Sequence, residues 1–161
     1  MGTRSTIALE FADGTVQQVY CHWDGYLEHN GKILAKHYSN PFILRDLIDL
    51  GDLSSLRPNI GVKHAFSQLD IPQDERDAFE AAHSDSCTFY GRDRDEAGTA
   101  SKKFANFDDY KANHQYEEYE YILRNVDGKA VWFVADHDNV YVTLESAIAD
   151  EADRIAQEEM A

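Results

Sequence analysis

Proline and cysteine are scarce in this 161-residue chain, with three of the first and two of the second. With so few prolines and no Gly/Ser tract there is no linker, so residues 1–161 read as one domain. Cys21 and Cys87 lie far apart and form no CxxC pair, which excludes a disulfide framework and the common zinc-finger spacings. No run approaches 18 apolar residues, so no membrane-spanning helix is expected. Met1-Gly2-Thr3-Arg4 leads directly into a strand pattern rather than into an apolar leader. The expected location is therefore the cytoplasm, with both thiols reduced.

Positive charge is also in short supply. Lys and Arg number 15 against 30 Asp and Glu, a formal net charge of −15. Phosphates repel such a chain, which disfavours direct nucleic-acid binding. The pairs Arg92/Arg94 and Lys102/Lys103 are too small to reverse this. No GxxxxGKS/T, GxGxxG, GxSxG or HExxH motif occurs, so the common nucleotide, hydrolase and zinc-protease signatures are missing. No cofactor is implied.

Apolar residues make up 43% of the chain and aromatics 12%, enough for a packed core despite the charge. The charge itself is segregated. Residues 1–69 hold 7 acidic and 6 basic side chains, and residues 70–161 hold the other 23 and 9. A net −1 part is thus followed by a net −14 part. Like charges destabilise a compact state, so such an excess points to solubility or to a basic partner.

Period-two alternation and Asp13-Gly14 predict a β-hairpin over residues 4–22 with a type I′ turn. Lys32–Tyr38 has helical spacing, and Asn40-Pro41 opens a second helix that ends at Gly51. Pro72–Phe79 starts a short acidic helix, Ser86–Gly91 reads as a strand, and Arg92–Gly98 as a charged loop. Phe107–Tyr110 is a helical turn. His114–Val126 and Ala130–Ala135 form strands joined at Asp127-Gly128, and Val140–Leu144 is a shorter strand. Ser146–Met160 is a closing helix. The expected fold is α+β, an antiparallel sheet built from hairpins with helices on one face.

The acids fall in clusters: Asp74, Glu75, Asp77 and Glu80; Asp93, Asp95 and Glu96; Asp108 and Asp109; Glu117, Glu118 and Glu120; Asp150, Glu151, Asp153, Glu158 and Glu159. On a strand, Glu118 and Glu120 would sit about 6.6–7 Å apart on one side, the same order as phosphate spacing along a DNA strand. Rows of carboxylates of this kind suit basic grooves made for nucleic acid. A solvated face that keeps the chain soluble is the alternative.

Cys21, His22, Asp24 and His29 place thiolate, imidazole and carboxylate within nine residues, all of them zinc ligand types. A metal-dependent module centred there is a second reading, although Cys21 and His22 would point to opposite faces of a strand. Trp23 and Tyr26 bracket Asp24-Gly25, either packing the hairpin onto the next helix or serving as aromatic anchors. A cysteine nucleophile drawn from Cys21 or Cys87 with His22, His29, His37, His64 or His83 has nothing in the spacing to fix its geometry.

Thr3-Arg4-Ser5-Thr6-Ile7, Tyr20-Cys21-His22-Trp23-Asp24-Gly25-Tyr26, His37-Tyr38 and Leu47–Leu56 resemble a group of small phage and prophage proteins, over roughly residues 1–60. What the resemblance implies is context. Small acidic phage proteins of the host cytoplasm are often inhibitors of defence systems, anti-CRISPR proteins among them, and several imitate DNA. On this reading the partner is a basic host protein or ribonucleoprotein complex, and the chain is a binding protein rather than an enzyme. It would touch neither nucleic acid nor membrane directly. A soluble accessory protein with no inhibitory role is the further alternative.

Overall fold

A computed structural model describes residues 3–63, 72–82, 84–114, 117–136 and 140–160. Strand β1 (Ser5–Glu10) pairs antiparallel with β2 (Val16–Cys21), Ile7 facing Val19. The loop between them is longer than a two-residue turn. Pairing stops at Glu10/Val16, which leaves Phe11–Thr15 as a five-residue connection. Of Asp13 and Gly14 only Gly14 has positive φ, whereas type I′ needs both. The Asp13 carboxylate instead accepts the Thr15 N–H at 3.0 Å and its hydroxyl at 2.7 Å, an Asx turn.

A π-helical turn at Leu27–Gly31 runs into α1 (Lys32–His37). Helix α2 (Pro41–Asp49) starts as its sequence dictates, with Pro41 in the first turn and Asn40 Oδ1 accepting the Phe42 N–H at 2.9 Å. Then come β3 (Leu53–Ser55), α3 (Gln73–Ala82), β4 (Thr88–Phe89), α4 (Tyr90–Arg94), β5 (Lys102–Phe104) and α5 (Phe107–Asn113). The chain continues through β6 (Tyr119–Val126), β7 (Lys129–Asp136) and β8 (Val142–Thr143), and closes with α6 (Leu144–Met160). The strand read over Ser86–Gly91 is thus only Thr88–Phe89. The charged loop is helical up to Arg94, because the Asp93 carboxylate folds back onto the Phe89 N–H at 2.8 Å.

The class is α+β and the sheet is mostly antiparallel, in the order β4-β3-β2-β1-β6-β7-β8, with β5 beside β2. The centre departs from a simple meander: β1 and β6 run parallel, Ile7 opposite Tyr121. The acidic second part of the chain is therefore not a separate layer, since its strand β6 fills the middle of the sheet. Asp127-Gly128, both with positive φ, close the β6–β7 hairpin as a two-residue turn.

One face of the sheet buries Ile7, Leu9, Val19, Tyr121, Leu123 and Val134 under Leu34, Leu44, Leu47, Ile48 and Leu144 of α1, α2 and α6. The other face is covered as well, where Ala8, Val16 and Ile122 meet Phe104 and Tyr110 from β5 and α5. Helices therefore occupy both faces. This also explains why Val16 and Val19, out of phase for a one-sided strand, both point into cores without any bulge in the pairing.

Candidate protein-binding surface

The Trp23–Tyr26 turn is held from below by close packing. A Cβ at Gly25 would lie 2.7–2.9 Å from Ser5 Cβ, Arg4 C and Thr3 O, so only glycine fits against this strand entry. Gly25 N–H donates to Thr3 O at 2.7 Å, and Tyr121 Oη donates to Gly25 O at 2.6 Å. Buried Asn30 extends Nδ2 toward Ser5 Oγ, Cys21 Sγ and Trp23 O at 3.3–3.4 Å. Asp24 takes up positive φ to complete the bend. On this fixed base Trp23 is 43% and Tyr26 40% exposed, so neither packs the hairpin inward.

The side chains around Trp23 form a surface. Its ring meets His22 edge-on at 4.8 Å, and His22 Nδ1 lies 2.7 Å from Tyr20 Oη. Tyr20 and His22 point to the sheet face that α5 covers further along. From the neighbouring strand Ser54 Oγ accepts Arg94 Nη2 at 3.4 Å, and the Arg94 guanidinium sits 5.4 Å over Tyr90. Trp, Tyr and Arg are the residue types that dominate binding energy at protein interfaces. Tyr20, Tyr90 and Arg94 were not singled out by their spacing; the parallel pairing of β2 with β3 brings them together.

The metal reading of Cys21, His22, Asp24 and His29 does not survive this geometry. Cys21 is buried on the core side, away from His22, and burial pushes its thiol up to about 12. His29 spends both nitrogens: Nδ1 donates to Asn30 Oδ1 at 2.8 Å and Nε2 accepts from Arg57 Nη1 at 3.1 Å. Among the described residues no three His, Cys, Asp or Glu side chains converge to hold a metal ion. Cys87 is buried as well, its thiol raised by burial, between the Arg57 backbone and Tyr38. His64 and His83 lie outside the described residues. Thiolates are the reactive form, so neither cysteine should behave as a nucleophile. Iodoacetamide at pH 8 is expected to leave both thiols of the folded protein unmodified and to label both in denaturant. Rapid single labelling of the native protein by intact mass would contradict it.

The acids separate into three kinds. Asp93 (4% exposed) and Glu120 (1%) are withdrawn from the surface, so the row of Glu118 and Glu120 does not exist. Asp93 is clamped by Arg92 at 3.0 Å, while Glu120 lies on the α5-covered face and accepts the Glu117 N–H at 3.0 Å. Glu118 precedes the strand and is exposed; Glu117 is half-buried. Asp109 is committed locally, accepting the Ala105 N–H at 2.9 Å and Asn113 Nδ2 at 2.7 Å.

The remaining acids lie at opposite ends of the sheet. Asp74, Glu75 and Asp77 of α3, with Asp95 and Glu96, belong to the β4 side, and Asp108 projects from α5. Glu80 is also on α3, its side chain outside the described part. Asp150, Glu151, Asp153, Glu158 and Glu159 ride on α6, which follows β8 and packs against β7, β8, α1 and the π-helical turn. Six strand intervals, roughly 29 Å, separate β4 from β8, so the acids do not form one patch.

Helix α6 is the acidic element next to the aromatic turn. Its first turn packs on the π-helical turn that Tyr26 opens, with Leu144 Cδ1 positioned 3.5 Å from where a Gly31 Cβ would be. The helix carries six acids and one base, Arg154, which bridges Glu151 and Glu158. From residue 149 onward only Glu151 and Ile155 are partly covered, so much of its length of about 25 Å stands in solvent. Comparison with protein-family models, curated proteins and solved structures finds no match to the chain. No helix of the described residues is long and apolar enough to cross a membrane.

Proposed function

We propose that this chain is a non-enzymatic inhibitor that binds a basic, nucleic-acid-handling host complex, such as a CRISPR effector, and blocks entry of its nucleic acid. The observation that carries the reading is the exposed Trp23/Tyr26 turn on its rigid base, with the first turn of the acidic helix α6 packed on the π-helical turn that Tyr26 opens. The exposed carboxylates of α6, at helical spacing, would enter a groove lined by Lys and Arg, and the field of a net −15 chain would steer the encounter. Trp23, Tyr26 and Arg94 would supply the desolvated contacts that charge alone does not. The bound host complex is the partner; no cofactor enters.

Replacing Asp150, Asp153, Glu158 and Glu159 with Lys changes the charge of α6 by eight units without touching a buried side chain. Affinity capture from a bacterial lysate, analysed by mass spectrometry, is expected to recover a nucleic-acid-binding complex with the native chain. It should recover none with the variant, and none at about 0.5 M salt, where exposed ion pairs are largely screened. Capture that survives both the substitutions and the salt would defeat the groove-blocking reading.

A further inference from the structure

The edge of the sheet at β7 is left half unpaired. β7 has eight residues, but β8 pairs only with Phe133 and Val134, and the chain then turns away into α6. No described strand lies beside Lys129–Trp132 on that side. In a hairpin closed by a two-residue turn the flanking pair, Val126 and Lys129, exchanges hydrogen bonds. The odd-numbered residues of β7 therefore face β6. The even-numbered ones direct N–H and C=O outward, as Val134 does toward Val142. Ala130 is exposed, so its outward donor and acceptor are open to a further strand.

A groove of about 490 Å³ runs along this edge, walled by Ala35 of α1, by Ser39 just after it and by Leu144 and Ile148 of α6, with Trp132 among its lining. Trp132 is only 6% exposed, and its indole N–H has no acceptor among the described residues. A buried donor left unmade is costly. An open edge beside a side-chain groove is the arrangement used in recognition by strand addition.

We infer that the β7 edge at Lys129–Val131 is a second interaction site, which takes an extended peptide segment of a partner protein as an added strand. The segment lies antiparallel or parallel to β7, bonds to the Ala130 backbone and sets an apolar side chain into the Trp132 groove. A second copy of this chain is the weaker occupant, because edge pairing would bring two chains of net charge −15 together. A helix lacks the free backbone groups that an edge requires.

Selection of a displayed library of random ten-residue peptides on the full chain tests this without reference to the host complex. Enriched peptides should alternate apolar and polar positions with period two. On binding the synthetic winner, the Ala130 amide should gain protection from hydrogen exchange and the Trp132 indole N–H resonance should shift. Ala35→Arg, an exposed substitution on the groove wall, should weaken the peptide about tenfold or more. Ala130→Pro, which removes the outward donor, should do the same. Failure to enrich any peptide would overturn the inference. So would a consensus with helical spacing, an unprotected Ala130 amide, a stable dimer of the chain that excludes the peptide, or affinity unchanged in a folded Ala35→Arg variant.

Discussion

Raising the pH from 9 to about 11.5 is expected to destabilise this protein steeply. Four protons are held in its core on groups that water would release: Cys21, Tyr38, Tyr110 and Tyr121, each at most 1% exposed. Burial pushes Cys21 up to about 12 and the three phenols above their ordinary value. Their stabilisation is present in full below the unfolded values, near 9 for the thiol and 10 for the phenols, and is lost as pH rises through the window above them. The unfolded chain binds fewer protons there, so the slope of stability against pH is negative. Each retained proton costs about 1.4 kcal/mol per pH unit. For Cys21 alone that amounts to about 3 kcal/mol at pH 11.5, and the raised phenols add to it in the same direction. A loss of this size is a large fraction of the whole stability of an ordinary domain.

Thermal melts followed by circular dichroism from pH 8 to 12 should show a steep fall in Tm above pH 10, and tyrosinate absorbance should rise in step with unfolding. Tyr121→Phe loses the hydrogen bond to Gly25 O and should cost about 1 kcal/mol at pH 7, yet move the alkaline midpoint upward. A protein that stays folded at pH 11.5 while all nine tyrosines titrate near 10 would show that these phenols are not held as described.

Legibility in the sequence depended on whether a signal was local. Asn40-Pro41, Gly51 and Asp127-Gly128 act through their own backbone, and their elements form where the residues place them. Asp13-Gly14 misled because a short carboxylate can bond its own chain two residues on and build a different turn. The fates of Glu120 and Asp93 were not readable at all. Alternation places Glu120 opposite Tyr121, but only the arrival of α5 on that face buries it. The parallel β1–β6 pairing, which joins segments more than a hundred residues apart, leaves no local trace. It also undoes the charge division as a spatial one: the −14 part contributes the middle of the sheet, and its exposed acids end up at both edges.

That redistribution shifts the binding energy from the acids to the aromatic turn, and Trp23→Ala measures the shift. Trp23 is 43% exposed and rests edge-on against His22, so its removal opens no core cavity, and a Tm change within about 2 °C is expected. If the turn is the anchor of the interface, affinity for the captured complex should fall by about 30-fold or more, the loss typical of an interfacial tryptophan at the centre of a patch. The kinetics separate its role from that of α6. Long-range charge acts before contact, so reversing Asp150, Asp153, Glu158 and Glu159 should lower the association rate and flatten its salt dependence. Desolvated contact acts after docking, so Trp23→Ala should raise the dissociation rate and leave association nearly unchanged. Arg94→Ala should resemble Trp23→Ala more weakly, because its guanidinium is shared with Tyr90 and Ser54. Surface plasmon resonance on the native chain and the three variants gives both rates directly. A Trp23→Ala chain that dissociates no faster than the native one would move the anchor elsewhere and leave the acids of α6 to hold the partner alone. Exposed ion pairs of this kind contribute at most about 1 kcal/mol each.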